Sequence, residues 1–293
     1  MKQAVEAEHL ASLRAGLPAG VEVTVGEVLE RPGELDVLVC GVPSGDELDT
    51  CGRLRWLVVP YAGLPAATRA LLLERPGLRA ANLHHNAAVT AEMAVALLLA
   101  AAKAILPMDA RLRRGHWSGR GRENPAVLLA ARTAVVYGFG AVGRRVAAAL
   151  AGLGMEVLGV RRRLEAPRVE DGFAVHPVSS LDDLLPRAAA LIVCAPLTEE
   201  TRGRIGAAEI ARLPPRAVLV NVARGPVVSE RALYEALRDR RLHSAGIDVW
   251  YRYPGKEGDP ANTPPADHPF GDLDNVVLSP HRGGWLAEAE DLR

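Results

Sequence analysis

The chain has 293 residues, 49% of them apolar and 24% charged, with 35 basic and 35 acidic side chains and a formal net charge of zero. That length points to two domains, and the composition excludes a disordered or fibrous chain. Zero net charge offers nucleic acid or an anionic membrane no attraction, and three well-separated cysteines, Cys40, Cys51 and Cys194, argue against a disulfide or metal framework.

The N-terminus carries acids where a secretory signal needs an apolar core, and the longest apolar run, 93–102, is too short to span a bilayer. A cytoplasmic protein without membrane contact is expected. A helical pattern covers 5–13, and short apolar strands are expected at 21–25, 36–40 and 55–59. The helix that starts at Thr90 is apolar on nearly all faces, which predicts burial near the domain boundary. A polar, Gly-rich loop over 113–125 leads to strands at 133–137, 156–160, 190–194, 217–222, 244–248 and 275–278, alternating with Ala/Leu-rich helices. Such alternation predicts an α/β chain of two doubly wound domains with parallel sheets.

Residues Gly138-Phe-Gly-Ala-Val-Gly143 follow the 133–137 strand and open a helix that runs to Gly152. In that setting Gly138 serves the tight turn, Gly140 lets backbone N–H groups approach a pyrophosphate, and Gly143 lets the helix pack close to the strand. The helix also points its positive end at the phosphates. An acid about 20 residues further on would bind the adenosine ribose hydroxyl. The chain has Arg161, Arg162 and Arg163 there instead, and guanidinium groups pair with a 2′-phosphate. NADP is therefore the expected cofactor, with NAD possible.

Further motifs follow in order: Val89-Thr-Ala-Glu-Met-Ala94, Cys194-Ala-Pro-Leu-Thr198, Asn221-Val-Ala-Arg-Gly225, Ala245-Gly-Ile-Asp-Val249 and Ser279-Pro-His-Arg-Gly-Gly284. With them, residues 55 to 285 resemble the D-isomer-specific 2-hydroxyacid dehydrogenases. The resemblance implies a Rossmann-type NAD(P)-binding domain, 96–284, inserted into a flavodoxin-like substrate domain, 1–95 plus 285–293. It also implies a homodimer acting on a small 2-oxo or 2-hydroxy acid such as glyoxylate or hydroxypyruvate.

By the same resemblance Arg224 grips the substrate's carboxylate and carbonyl oxygen, a task suited to a permanently charged planar fork. His281 protonates the developing alkoxide, and an imidazole is able to exchange a proton near neutrality. Asp248 lies close to the nicotinamide. The backbone at Ala62 and Gly63 receives the substrate carboxylate. Phe139, Ala141, Val142, Ala195, Pro196, Val222, Ala223 and Gly283 border the dinucleotide.

The chain departs from the family where a glutamate normally pairs with the histidine. One count places Tyr253 there, another Asn262; neither is an acid. Tyr253 orienting a neutral His281 is favoured, against an acid such as Glu257 or Asp259 folding in, or loss of the relay. Both ends are also short against the family: a helical pattern stands where a first strand is expected, and little chain follows His281. The alternatives to a reductase are a dinucleotide-binding scaffold or regulator, or an enzyme of this fold acting on a different small anion.

Overall fold

The computed structural model describes residues 7–255 and 261–286. Two compact units divide the chain, one within residues 7–86 and one over Ala87–Trp285. The division falls nine residues before the expected one at 95/96.

The first unit contains α1 (Ala7–Gly16), β1 (Val37–Val39), α2 (Gly45–Thr50), β2 (Trp56–Val59), α3 (Ala66–Leu73) and β3 (Arg79–Asn82). Its strands form a parallel sheet in the order β1-β2-β3. Ser44 and Glu47 close a reciprocal cap at the start of α2, satisfying two backbone donors that the helix leaves open. Its core is small: Leu38, Cys40, Leu48 and Leu57.

The expected strand at 21–25 is a correction. Its residues stay outside any ladder, and the Val23 carbonyl accepts from the Arg14 guanidinium at 3.1 Å instead. An apolar alternation becomes a strand only where a neighbour takes its backbone groups. Strand β3 was not expected, because all four of its residues are exposed and show no buried face.

The second unit runs α4 (Ala87–Ala102), α5 (Ile105–Leu112), β4 (Thr133–Tyr137), α6 (Ala141–Gly152), β5 (Glu156–Arg161), β6 (Arg168–Glu170), β7 (Phe173–Pro177), α7 (Leu181–Leu184), β8 (Ala188–Val193), α8 (Ala207–Arg212), β9 (Val218–Asn221), α9 (Glu230–Arg238), β10 (Ser244–Ile247) and β11 (Val276–Leu278). The sheet order is β11-β10-β9-β8-β4-β5-β7-β6, parallel except for the hairpin of β6 on β7. Side chains of β4 alternate between two buried faces. Ala134 and Val136 pack with the α4 and α6 residues Leu98 and Leu150, while Val135 and Tyr137 join the layer that holds Leu181 and Leu233. Burial on both faces explains why these strands read as continuous apolar runs.

Helix α4 packs on α6, β9 and β10 and so belongs whole to the second unit. No single helix among the described residues is long and apolar enough to cross a membrane. Because β4 and β8 are neighbours from which the chain winds outward in opposite directions, the sheet has a switch point between them. Ligands bind outside the carboxyl ends of the strands at such a point.

Candidate active site

The glycine loop leaves β4 at this switch point. Gly138 has φ +107°, and a Cβ there would meet the Ala195 backbone nitrogen at 2.3 Å; one on Gly143 would meet the Gly138 carbonyl at 2.2 Å. The loop therefore packs against Cys194-Ala-Pro196 after β8. Phe139 and Ala195 are buried, and burial pushes the Cys194 thiol up to about 12, which makes it an inert packing residue. At Gly140 a Cβ would meet nothing within 4 Å, and no side chain caps α6. Open space in front of uncapped helix N–H groups, at Ala141 and Val142, fits a dinucleotide pyrophosphate.

The three arginines at the end of β5 divide. Arg161 turns to Glu170 on β6, 2.8 Å away, where Arg168 and Arg144 also converge. Burial pushes the Glu170 carboxyl up, but Arg168 and Arg161 outweigh it and hold the group below its usual range. Arg144 also lies over the Phe139 ring, 5.2 Å from its centroid, so Glu170 ties the hairpin to the first turns of α6. Arg162 and Arg163 are exposed and have no ion pair among the described residues.

Beyond β9, Asn221 is 1% exposed and staples the turn that presents Arg224. Its Oδ1 accepts from the Ala223 N–H and its Nδ2 donates to the Arg224 carbonyl, each at 3.1 Å. The Arg224 guanidinium donates to the Ala223 carbonyl at 2.6 Å, and the residue is exposed where Val222 and Ala223 are buried.

Beyond β10, Asp248 is 2% exposed. Its carboxylate accepts from Ser279 Oγ at 2.5 Å, the Arg282 N–H at 3.0 Å and the Gly283 N–H at 2.9 Å. Trp250 Nε1 adds a bond to the Ser279 carbonyl at 2.8 Å. The loop that carries His281 at φ +56° is thus held from both sides of that residue.

The His281 imidazole has no hydrogen-bond partner among the described residues. Tyr253 lies beside it with ring centroids 5.2 Å apart, and the Tyr253 hydroxyl accepts from the Trp250 N–H at 2.9 Å. Burial first, then the Arg224 guanidinium, push the imidazole below its ordinary 6.5, while Asp248 pulls the other way. Burial also raises the Tyr253 phenol.

The structure therefore groups Arg224, Asp248, Tyr253, His281 and Gly283 at the carboxyl ends of β9, β10 and β11. Asn262 is exposed, and Glu257 and Asp259 lie outside the described residues. Ala62 and Gly63 follow β2 in the first unit, where the Ala62 carbonyl accepts from Asn82 Nδ2 at 2.7 Å. Sequence reasoning missed Asn221, Trp250 and Ser279 as the residues that position Arg224 and the loop of His281. Asn221 and Ser279 stand inside the two motifs already singled out, so that signal was present; nothing local marks Trp250.

Residues 95–283 match the family model for the D-isomer specific 2-hydroxyacid dehydrogenase, NAD binding domain. The chain is 31% identical over 280 residues to D-3-phosphoglycerate dehydrogenase of Methanocaldococcus jannaschii, covering 92% of this chain and 50% of that protein. It is 31% identical over 277 residues to glyoxylate reductase of Thermococcus gammatolerans, covering 91% and 78%. Among solved structures, the D-isomer specific 2-hydroxyacid dehydrogenase from Xanthobacter autotrophicus Py2 in complex with NADPH and MES superposes with a TM-score of 0.77 at 26% identity, over 99% of this chain and 88% of that one. The chain spans about half the length of the phosphoglycerate dehydrogenases it matches.

Proposed function

We infer the activity from membership: the chain belongs to the D-isomer-specific 2-hydroxyacid dehydrogenase family, and its site suits the reduction of small 2-oxo acids, glyoxylate and hydroxypyruvate among them, with NADPH. The observation that carries this reading is the convergence of the exposed Arg224 guanidinium and the His281 imidazole at the carboxyl ends of β9 and β11, on either side of β10. A pure dinucleotide binder needs neither.

Bound NADPH would supply a hydride to the carbonyl carbon. Arg224 grips the substrate carboxylate and draws negative charge onto the carbonyl oxygen, which it stabilises as that charge develops. His281 gives its proton to that oxygen and regains one from solvent. Tyr253 fixes the ring in place of the family's acid. Arg162 and Arg163, without ion-pair partners among the described residues, take the 2′-phosphate, while Arg161 stays with Glu170.

The test is loss of reduced-nicotinamide absorbance against a panel of 2-oxo acids, with NADPH and NADH in parallel. Turnover with a kcat/KM at least about tenfold higher for NADPH is expected, the worth of one charge-assisted contact. Equal values for the two dinucleotides overturn the cofactor assignment. Tight dinucleotide binding with no turnover on any acid favours the scaffold reading, which the lack of an acid on His281 among the described residues supports.

A further inference from the structure

Strand β5 ends at Arg161, eighteen residues after Gly143, where the glycine motif places the residue that meets the adenosine ribose. A guanidinium at that place suits a 2′-phosphate. The Arg161 side chain is 38% exposed, yet it is turned aside: its Nη1 donates to both carboxylate oxygens of Glu170, at 2.8 and 3.1 Å. Among the described residues Arg161 makes no other ion pair.

The sequence fixes Glu170 in place through its turn. Asp171 and Gly172, at φ +51° and +83°, are the two left-handed residues between β6 and β7, the pairing that Asp-Gly favours. Glu170 therefore ends β6 opposite Phe173, with its side chain 9% exposed. Arg168 donates to it through Nε at 2.7 Å, and Arg144 of α6 reaches both Glu170 and Asp171. The hairpin also has an anchor that does not involve Glu170. Phe173 meets the Phe139 ring edge-on, centroids 6.1 Å apart, and that ring fills the space over Gly159, where a Cβ would come within 2.4 Å of it.

The balance of charge gives this arrangement a consequence. Three guanidiniums, of Arg144, Arg161 and Arg168, converge on Glu170, and Asp171 takes only Arg144. Glu170 is therefore the one carboxylate that holds Arg161 and Arg168 among the described residues. Arg168 stands on the edge strand β6, whereas Arg161 stands at the end of β5, beside the exposed and unpaired Arg162 and Arg163. Removing the charge of Glu170 releases a permanently charged planar fork at the ribose position.

We infer that Glu170 is a positioning residue that sets dinucleotide specificity: it withholds Arg161 and leaves the 2′-phosphate to Arg162 and Arg163. The inference rests on the NADPH reading above, and binding measured without turnover separates the two. Dissociation constants of NADPH and NADH, read from the fluorescence of the reduced nicotinamide, are compared for the whole wild-type protein, Glu170→Gln, Arg161→Met and the double variant. Glu170→Gln keeps the size of the side chain and loses its charge. It should tighten NADPH about tenfold, the worth of one charge-assisted contact, with NADH unchanged. Arg161→Met alone should alter neither constant, and in the double variant it should cancel the gain. An equal loss for both dinucleotides in Glu170→Gln overturns the inference, as does an unchanged NADPH constant or a gain that survives in the double variant. NADPH binding weakened by Arg161→Met alone also overturns it. That variant leaves Glu170 paired with Arg168 and Arg144, so it decides the matter if Glu170→Gln does not fold. Equal wild-type constants for NADPH and NADH would instead defeat the NADPH reading, because the role of Glu170 is read from the shift between variants.

Discussion

Tyr253 stands beside His281 where the family pattern places an acid, and the consequence is a question of sign. Burial and Arg224 lower the imidazole below 6.5, so its proton-carrying form declines as pH rises through that depressed value. Reduction, which consumes that proton, should therefore be fastest on the acid side of neutrality. A carboxylate at the same place stabilises imidazolium, so Tyr253→Glu is expected to move the alkaline fall of kcat/KM upward by about one to two pH units. A wild-type profile flat to alkaline pH, or one that Tyr253→Glu leaves where it was, would remove Tyr253 from the relay. Arg162 and Arg163 make a second residue-scale case. Replacing either by alanine should raise the KM for NADPH about ten- to hundredfold while that for NADH is unchanged, since one charge-assisted contact is worth about 1.5–3 kcal/mol. Equal changes for both dinucleotides would show that the pair is only a solvated basic turn. The three arginines looked equivalent in the sequence. What separates Arg161 from its neighbours is Glu170, nine residues on in a hairpin whose first strand is three residues long and mostly exposed.

At the scale of elements, the glycine loop was legible because its demands are local: a turn, a close approach and a helix start are each written in consecutive residues. Gly143→Ala would set a Cβ 2.2 Å from the Gly138 carbonyl, and forcing the two apart should cost about 1–3 kcal/mol along with most of the dinucleotide affinity; titration of the variant with NADPH checks this. The loop of residues 279–283 was legible only in part, because its shape depends on a partner on another strand. Three donors from it meet the Asp248 carboxylate. Asp248→Asn turns part of that acceptor into a donor facing backbone N–H groups. Stability should fall by about 3 kcal/mol, the upper range for one hydrogen bond to a charge. The kcat should fall about a hundredfold, as expected when a reacting group loses its position. Unchanged kcat in a destabilised variant would reduce Asp248 to a structural role. The 21–25 segment shows the opposite failure, since its apolar alternation is real but no neighbouring strand receives it.

For the whole molecule, each unit has a hydrophobic core of its own among the described residues. Leu38, Cys40, Leu48 and Leu57 make the core of the first, whereas both faces of the eight-stranded sheet supply the second. A domain with so little buried apolar surface is marginal by itself, so denaturant should unfold the chain in two steps. The first should have a small m-value, because m scales with the surface exposed. In a Trp56→Phe variant, which removes the first unit's tryptophan, the fluorescence of Trp250, 5% exposed and packed against Phe270 in the core of the second unit, should report only the second step. The glycine loop and the arginines after β5 all lie in the second unit. NADPH at about 100 times its Kd should therefore stabilise the upper transition by about 2.7 kcal/mol and leave the lower one where it stands. A single transition, coincident by fluorescence and circular dichroism, would mean that the two cores unfold as one. A lower transition that moved with NADPH as far as the upper one would mean that the first unit shares in holding the dinucleotide.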